Sequence, residues 1–124
     1  MPSPVTMVEM IFPEQANHYG TLFGGNALAL MAKAAFVAAA RHAGGSVVMA
    51  RSDRVDFATP VRVGELLELT ASVIRSGRSS MTVAVAATAG LPSAGPAREV
   101  LRGQFEMVAV DGAGRPRPIA QDQG

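Results

Sequence analysis

Cysteine is absent from the 124 residues, which excludes a disulfide framework, a thiol nucleophile and a thiolate metal site. Tryptophan is absent too, and one Tyr and five Phe are too few for a base-stacking platform. Charge is scarce at 17%, with 11 Lys and Arg against 10 Asp and Glu for a formal net charge of +1. That balance gives no electrostatic case for nucleic-acid binding. The first basic residue is Lys33, so the start lacks the charged opening of a signal peptide. No apolar run reaches the roughly 18 residues that a membrane span needs. The expectation is a soluble cytoplasmic protein with no nucleic-acid partner, no membrane partner and no metal.

What the chain does hold is apolar residues, 48% of the total. Its length suits one domain that buries roughly two-thirds of its unfolded surface. With so little charge, a lone domain of this kind is expected to hide apolar surface in a homo-oligomer.

The pattern predicts a short strand over Val5–Phe12, stopped by Pro13, and a polar connector over 13–21. From Leu22 to His42 apolar side chains recur almost all round a helix, which predicts a buried one. Gly44-Gly45 ends it. Four strands are predicted next. The first runs from Ser46 to Phe57. In the others Leu67, Leu69, Ala71 and Val73, then Met81, Val83, Val85 and Ala87, then Leu101, Phe105 and Met107 alternate with polar neighbours. Ser76-Gly77 marks a tight hairpin and Leu91–Pro96 a longer loop. The order strand, helix, four strands implies an α+β hotdog fold, an antiparallel sheet wrapped around one long buried central helix. Residues 1–110 form the domain, and 111–124 a Gly/Pro-rich tail expected to be loosely ordered.

Gly24 and Gly25 sit where the helix begins, although Gly costs about 1 kcal/mol against Ala in a helix. A ligand can approach glycine backbone closely. The first helical N–H groups lack internal partners and carry the positive end of the dipole. The turn therefore suits an oxyanion or a polarised carbonyl. Such a site points to acyl chemistry without metal, cysteine or cofactor. Tight packing of the helix on the sheet is the competing explanation, but two adjacent glycines at a helix start exceed the usual packing need, which favours the functional one.

Pro13-Glu14-Gln15-Ala16-Asn17-His18-Tyr19-Gly20-Thr21-Leu22-Phe23-Gly24-Gly25 resembles the corresponding segment of hotdog acyl-CoA thioesterases, the cytosolic acyl-CoA hydrolase group. So do Arg54-Val55-Asp56-Phe57-Ala58-Thr59-Pro60-Val61, Gly64-Glu65 and Gly77-Arg78-Ser79-Ser80-Met81. The likeness covers roughly residues 5 to 110. It implies hydrolysis of acyl-CoA to free acid and CoA in sites shared by two protomers, with CoA entering as part of the substrate and no separate cofactor. Where the family helix usually reads Leu-Met-Asp, this chain has Leu30-Met31-Ala32. The acid that would activate water or attack the thioester is thus missing at position 32.

Beside Gly24, Gly25 and the substituted Ala32, the candidates for chemistry are Asn17 and Thr21. Asn17 orients water or the thioester, or only closes an Asx-turn. Thr21 reads most simply as an N-cap. His18 has no acid nearby in sequence and reads as solvated, as does Glu14. Asp53 and Asp56 stand three apart on a strand, which predicts opposite faces and rules out a carboxylate pair. Arg51, Asp53 and Arg54 read as ion-pair formers. Arg75, Arg78, Ser79 and Ser80 flank a hairpin whose amides, guanidiniums and hydroxyls suit the phosphates of CoA. A non-catalytic acyl-CoA binding or sensing protein is the alternative function. A hotdog dehydratase is a third, for which His18 and His42 lack an acid partner.

Overall fold

The computed structural model describes residues 4–119, except for the side chains of 94–96. Five strands form one antiparallel sheet in the order β1-β3-β4-β5-β2. They are β1 (Val5–Met10), β2 (Val47–Phe57), β3 (Leu66–Ser76), β4 (Ser80–Leu91) and β5 (Ala94–Ala109). Helix α1 (Gly24–Ala43) lies against one face of the sheet and touches every strand. The hotdog fold expected from the element order is the fold observed.

Alternation decides which face meets the helix. Leu67, Leu69, Ala71 and Val73 of β3, Met81, Val83, Val85 and Ala87 of β4, and Leu101, Phe105 and Met107 of β5 are all buried. From α1, Ala27, Leu30, Met31, Ala34, Ala35, Ala38, Ala39 and Ala43 are buried against them. Six of those eight are alanines, so the helix axis lies close to the sheet. Gly44 ends α1 in the left-handed region (φ 71°), its amide donating to Ala40 O at 2.9 Å. Arg41 and His42 sit in the last turn, where cations meet the negative end of the dipole.

The opposite side of α1 is open in the protomer. Leu28 is 36% and Phe36 46% exposed, so the all-round apolar helix is covered by the sheet on one side only. Strand β2 forms one edge of the sheet, and its Val48, Met49 and Phe57 are about half exposed.

Two bulges bend β2, between Met49 and Arg51 and between Asp53 and Asp56. At the second, Arg54 adopts φ 52°, the single non-glycine positive φ among the described residues. The bulge drops Val55 over Gly103, where a Cβ would lie 3.1 Å from Val55 Cγ2 and 3.1 Å from Met31 Cε. A side chain there must push Val55 or Met31 aside, because helix, bulge and β5 converge. Gly103→Val should destabilise the fold by about 2–3 kcal/mol through overpacking, read from urea unfolding midpoints at unchanged m-value.

Two connections differ from expectation. The predicted loop over Leu91–Pro96 is a tight hairpin, since Leu91 pairs with Ala94 and only Pro92 and Ser93 lie between. The tail is pinned as far as residue 119. Asp111 Oδ1 accepts from the amides of Ala113 (2.9 Å) and Arg115 (3.0 Å), and Arg117 donates to Val110 O (3.0 Å) and Ala43 O (3.3 Å). Ile119 is buried and its amide donates to Arg78 O at 2.7 Å. Residues 120–124 lie outside the described part. No helix among the described residues is long and apolar enough to cross a membrane.

Candidate functional site

The chain ahead of α1 is a compact hydrogen-bonded turn. Gln15 N donates to Phe12 O at 3.0 Å, and Gln15 O accepts from Phe23 N at 2.9 Å and Asn26 Nδ2 at 3.0 Å. Asn17 closes the next turn. Its Oδ1 accepts from Tyr19 N (2.9 Å), Thr21 N (3.2 Å) and the Thr21 hydroxyl (3.2 Å). Two of those donors are backbone amides, which identifies the oxygen end of the side chain. The Asx-turn reading is the one observed, and Asn17 has a donor rather than an acceptor to offer.

Thr21 is not the N-cap. The cap residue is Phe23, which makes no side-chain capping bond, and Thr21 spends its hydroxyl proton on Asn17. No capping side chain therefore competes for the amides of Gly24 and Gly25, and both glycines are exposed. Their steric surroundings differ. A Cβ on Gly25 would lie 2.8 Å from Phe23 Cε2, so a side chain there must displace the exposed Phe23 ring. A Cβ on Gly24 would meet nothing within 4 Å, so packing does not account for that glycine. Gly24 lines a cleft of about 250 Å³ with Thr21, Leu22, Ala27, Phe57, Thr59, Pro60, Val61 and Leu101. Free N–H groups at a mostly apolar opening can hold a polarised carbonyl oxygen and strengthen as charge develops on it.

Ala32 follows Gly25 by two turns on the same side of α1, about 10 Å along the axis. It is half-buried beside the uncovered Leu28 and Phe36. Met49 of β2 pairs with the buried Met107, which turns the Met49 side chain to the helix-bearing side of the sheet.

The bulge overturns the expectation for the two aspartates. Asp53 pairs with Gln104 and Asp56 with Arg102, two residues apart on β5, so both carboxylates share one face. That face is the one turned away from α1, where neither supplies an acid to the Gly24 turn. His18 is exposed and stacks on Tyr19 with ring centroids 4.0 Å apart. His42 Nε2 lies 3.0 Å from the Ser76 hydroxyl. Among the described residues no three His, Asp or Glu side chains gather as metal ligands.

The hairpin group is split. Arg75 and Ser80 line a cleft of about 300 Å³ with Arg51, Ser76, Gly77, Met81, Thr82 and Glu106. Arg51, expected to form ion pairs across the sheet, instead lines this cleft. Arg78 and Ser79 instead give backbone carbonyls to Ile119 and Ala109. Thr82 donates to Glu106 at 2.6 Å, so a carboxylate shares the cleft with the two arginines. The pairing of Arg51 with Glu106 and of Arg75 with Thr82 puts this cleft on the sheet face turned away from α1, level with the helix's C-terminal end, where His42 meets Ser76. The 20-residue helix puts it roughly 30 Å from Gly24 in the same protomer.

Sequence reading missed one buried ion pair beside the site. Glu65 is 5% exposed and takes a fork from Arg98, with Oε2 2.6 Å from Nη1 and Oε1 2.9 Å from Nη2. The Arg98 hydrogen bonds, helped by the Arg62 amide, outweigh burial and lower the Glu65 pKa to about 2. A carboxyl lowered in the folded state contributes stability above its unfolded value near 4.5 and loses it as pH falls toward 2. With Arg98 partly solvated, the contribution is roughly 2–3 kcal/mol. The melting-temperature gap between wild type and Glu65→Gln should therefore stay constant from pH 7 to 5 and close between about pH 4.5 and 2.

A family model of the thioesterase superfamily matches residues 19–91. The chain belongs to the thioesterase superfamily. An acyl-CoA hydrolase from Agrobacterium tumefaciens is 48% identical with a TM-score of 0.88, the match covering 96% of this chain and 47% of that one. A hexameric acyl-CoA thioesterase is 35% identical with a TM-score of 0.90, covering 97% of this chain and 80% of that one. An acyl-CoA hydrolase from Staphylococcus aureus, solved with butyryl-CoA, CoA and CoA disulfide, is 31% identical with a TM-score of 0.89, covering 96% and 76%.

Variants of the S. aureus hydrolase carry alanine in place of an asparagine, of an aspartate 15 residues later, and of a threonine 17 residues after that.

Proposed function

We propose that this chain is an acyl-CoA thioester hydrolase acting as a homo-oligomer, with its carbonyl-binding turn intact and its acid position emptied. The observation that carries the reading is Gly24, a glycine no packing contact requires, with its amide uncapped at the mouth of an apolar cleft. The amides of Gly24 and Gly25 hold the thioester oxygen, and Asn17 Nδ2 donates to the substrate or to the attacking water. Each such donor is typically worth about 3–4 kcal/mol in the transition state. Ala32 provides no base, and loss of a base commonly costs two to four orders of magnitude, roughly.

The uncovered face of α1 and the half-exposed apolar residues of edge strand β2 support self-association. An antiparallel second helix would bring Ala32 of one protomer to the Gly24 turn of the other. The Arg51 and Arg75 cleft, which opens on the sheet face turned away from α1, is the proposed seat of CoA phosphates. No separate cofactor is called for. The cytoplasm is the place proposed for it, and neither nucleic acid nor membrane is a proposed partner.

Counted from Asn17, the steps between the three varied positions of the S. aureus hydrolase fall on Ala32 and Met49, and that apolar pair favours a second reading, an acyl-CoA binding protein without turnover. A hydrolysis screen over short, medium and long acyl-CoAs by thiol release tests both. Slow but repeated turnover, well below the roughly 10 per second of a median enzyme, supports the first reading. Saturable binding with no second turnover supports the other, and no binding at any chain length defeats both.

A further inference from the structure

Glu65 is the one charged side chain buried among the described residues, and it joins Arg98 of β5 to the turn 60–62. The Arg98 fork that holds its two oxygens also donates from Nη2 to Pro60 O at 2.6 Å and from Nη1 to Ala89 O at 3.3 Å. Glu65 Oε1 in turn accepts from Arg62 N at 2.7 Å. The ion pair therefore grips the turn 60–62 at both ends, by the carbonyl of Pro60 and the amide of Arg62.

That turn is joined to the chain that starts the helix. Between its two held ends, Val61 is 3% exposed, and its carbonyl accepts from Leu22 N at 2.7 Å. Arg62 forms a β-bridge with Thr21, and Val63 N donates to Gly20 O at 3.2 Å. Thr21, Leu22, Pro60 and Val61 all line the cleft at Gly24. Nothing apolar of the same volume would reproduce these directional bonds, although buried ion pairs can often be replaced by apolar residues without loss of stability.

We infer that Glu65 and Arg98 are positioning residues for the thioester site: together they set the turn 60–62, which sets residues 20–22 and so the aim of the Gly24 amide. This rests on the reading of the Gly24 turn as the carbonyl site. A carbonyl site misplaced by even 1 Å loses much of its effect, while a phosphate cleft on the sheet face turned away from α1 is left alone. The pair therefore governs how well the protein tells an acyl-CoA from CoA.

Calorimetric titration of wild type, Glu65→Gln, Arg98→Lys and Gly24→Val with butyryl-CoA and with CoA tests it, alongside melting and sedimentation. Glu65→Gln and Arg98→Lys should each weaken butyryl-CoA by about tenfold or more, with CoA held within about twofold and the oligomer intact. Arg98→Lys keeps the charge and loses the fork, so it serves if Glu65→Gln does not fold. Unchanged butyryl-CoA binding in both, while Gly24→Val loses it, overturns the positioning role and spares the carbonyl site. Equal weakening of both ligands also overturns it, because a merely structural role does that. If Gly24→Val too binds butyryl-CoA normally, the carbonyl reading falls and this inference with it.

Discussion

Ala32→Asp is expected to raise kcat for acyl-CoA hydrolysis by at least about a hundredfold with little change in affinity for substrate. The position is half-buried beside the open face of α1, so a carboxylate there keeps access to water in the protomer. It stands two turns from Gly25 on the same side, where an antiparallel partner helix would bring it to the other protomer's turn. Asp in a helix interior costs about 0.7 kcal/mol against Ala, a small loss beside the gain. Met49→Thr added to it should raise kcat by a further severalfold, and the two should not combine additively, because groups acting on one water or one carbonyl are coupled. Stopped-flow thiol release on the single and double variants measures both steps. A gain of only a fewfold in an intact, acyl-CoA-binding double variant would place the catalytic group elsewhere.

Gly24→Val is expected to lower acyl-CoA affinity and turnover by about a hundredfold or more, the worth of a carbonyl donor, while the protein melts and sediments as wild type. Nothing lies within 4 Å of a Cβ at this position, and Gly24 lines the cleft, so a side chain is added there without a clash at its Cβ. Gly25→Val is the less telling variant, since its side chain must first displace the Phe23 ring. Steady-state kinetics and titration together read the effect, and normal binding and turnover would remove the role assigned to the turn.

The parts of the fold written in local periodicity were legible. Period-two alternation in residues 67–73, 81–87 and 101–107 named the buried face of three strands, and the Gly pair at the helix start named the turn. Features made by convergence of distant chain were not. The bulge at Arg54 has no glycine to announce it, and it reverses the strand parity that had put Asp53 and Asp56 on opposite faces. Pro92 and Ser93 sit among Gly and Pro whose density reads as a loop, yet the strands pair up to Leu91 and Ala94. Glu65 and Arg98 are 33 residues apart, and no spacing rule joins them. The tail folds back because Asp111 closes its own turn and Arg117 reaches the end of α1, contacts that a Gly/Pro-rich composition conceals. At Thr21 the residue type was right for a cap, but Asn17 claims its hydroxyl first.

The most direct test of the central claim is the infrared difference spectrum of butyryl-CoA carrying carbon-13 at the thioester carbonyl, bound to the wild-type protein. Hydrogen bonds from free amides at the start of α1 draw electron density toward the oxygen and weaken the C=O bond. The slow turnover expected with Ala32 in place leaves the bound thioester intact for the recording. The account predicts that the carbonyl band moves to lower wavenumber on binding and that Gly24→Val, at ligand concentrations high enough to fill it, shows no such shift. A saturated wild-type protein whose thioester band stays where it lies in water would contradict it.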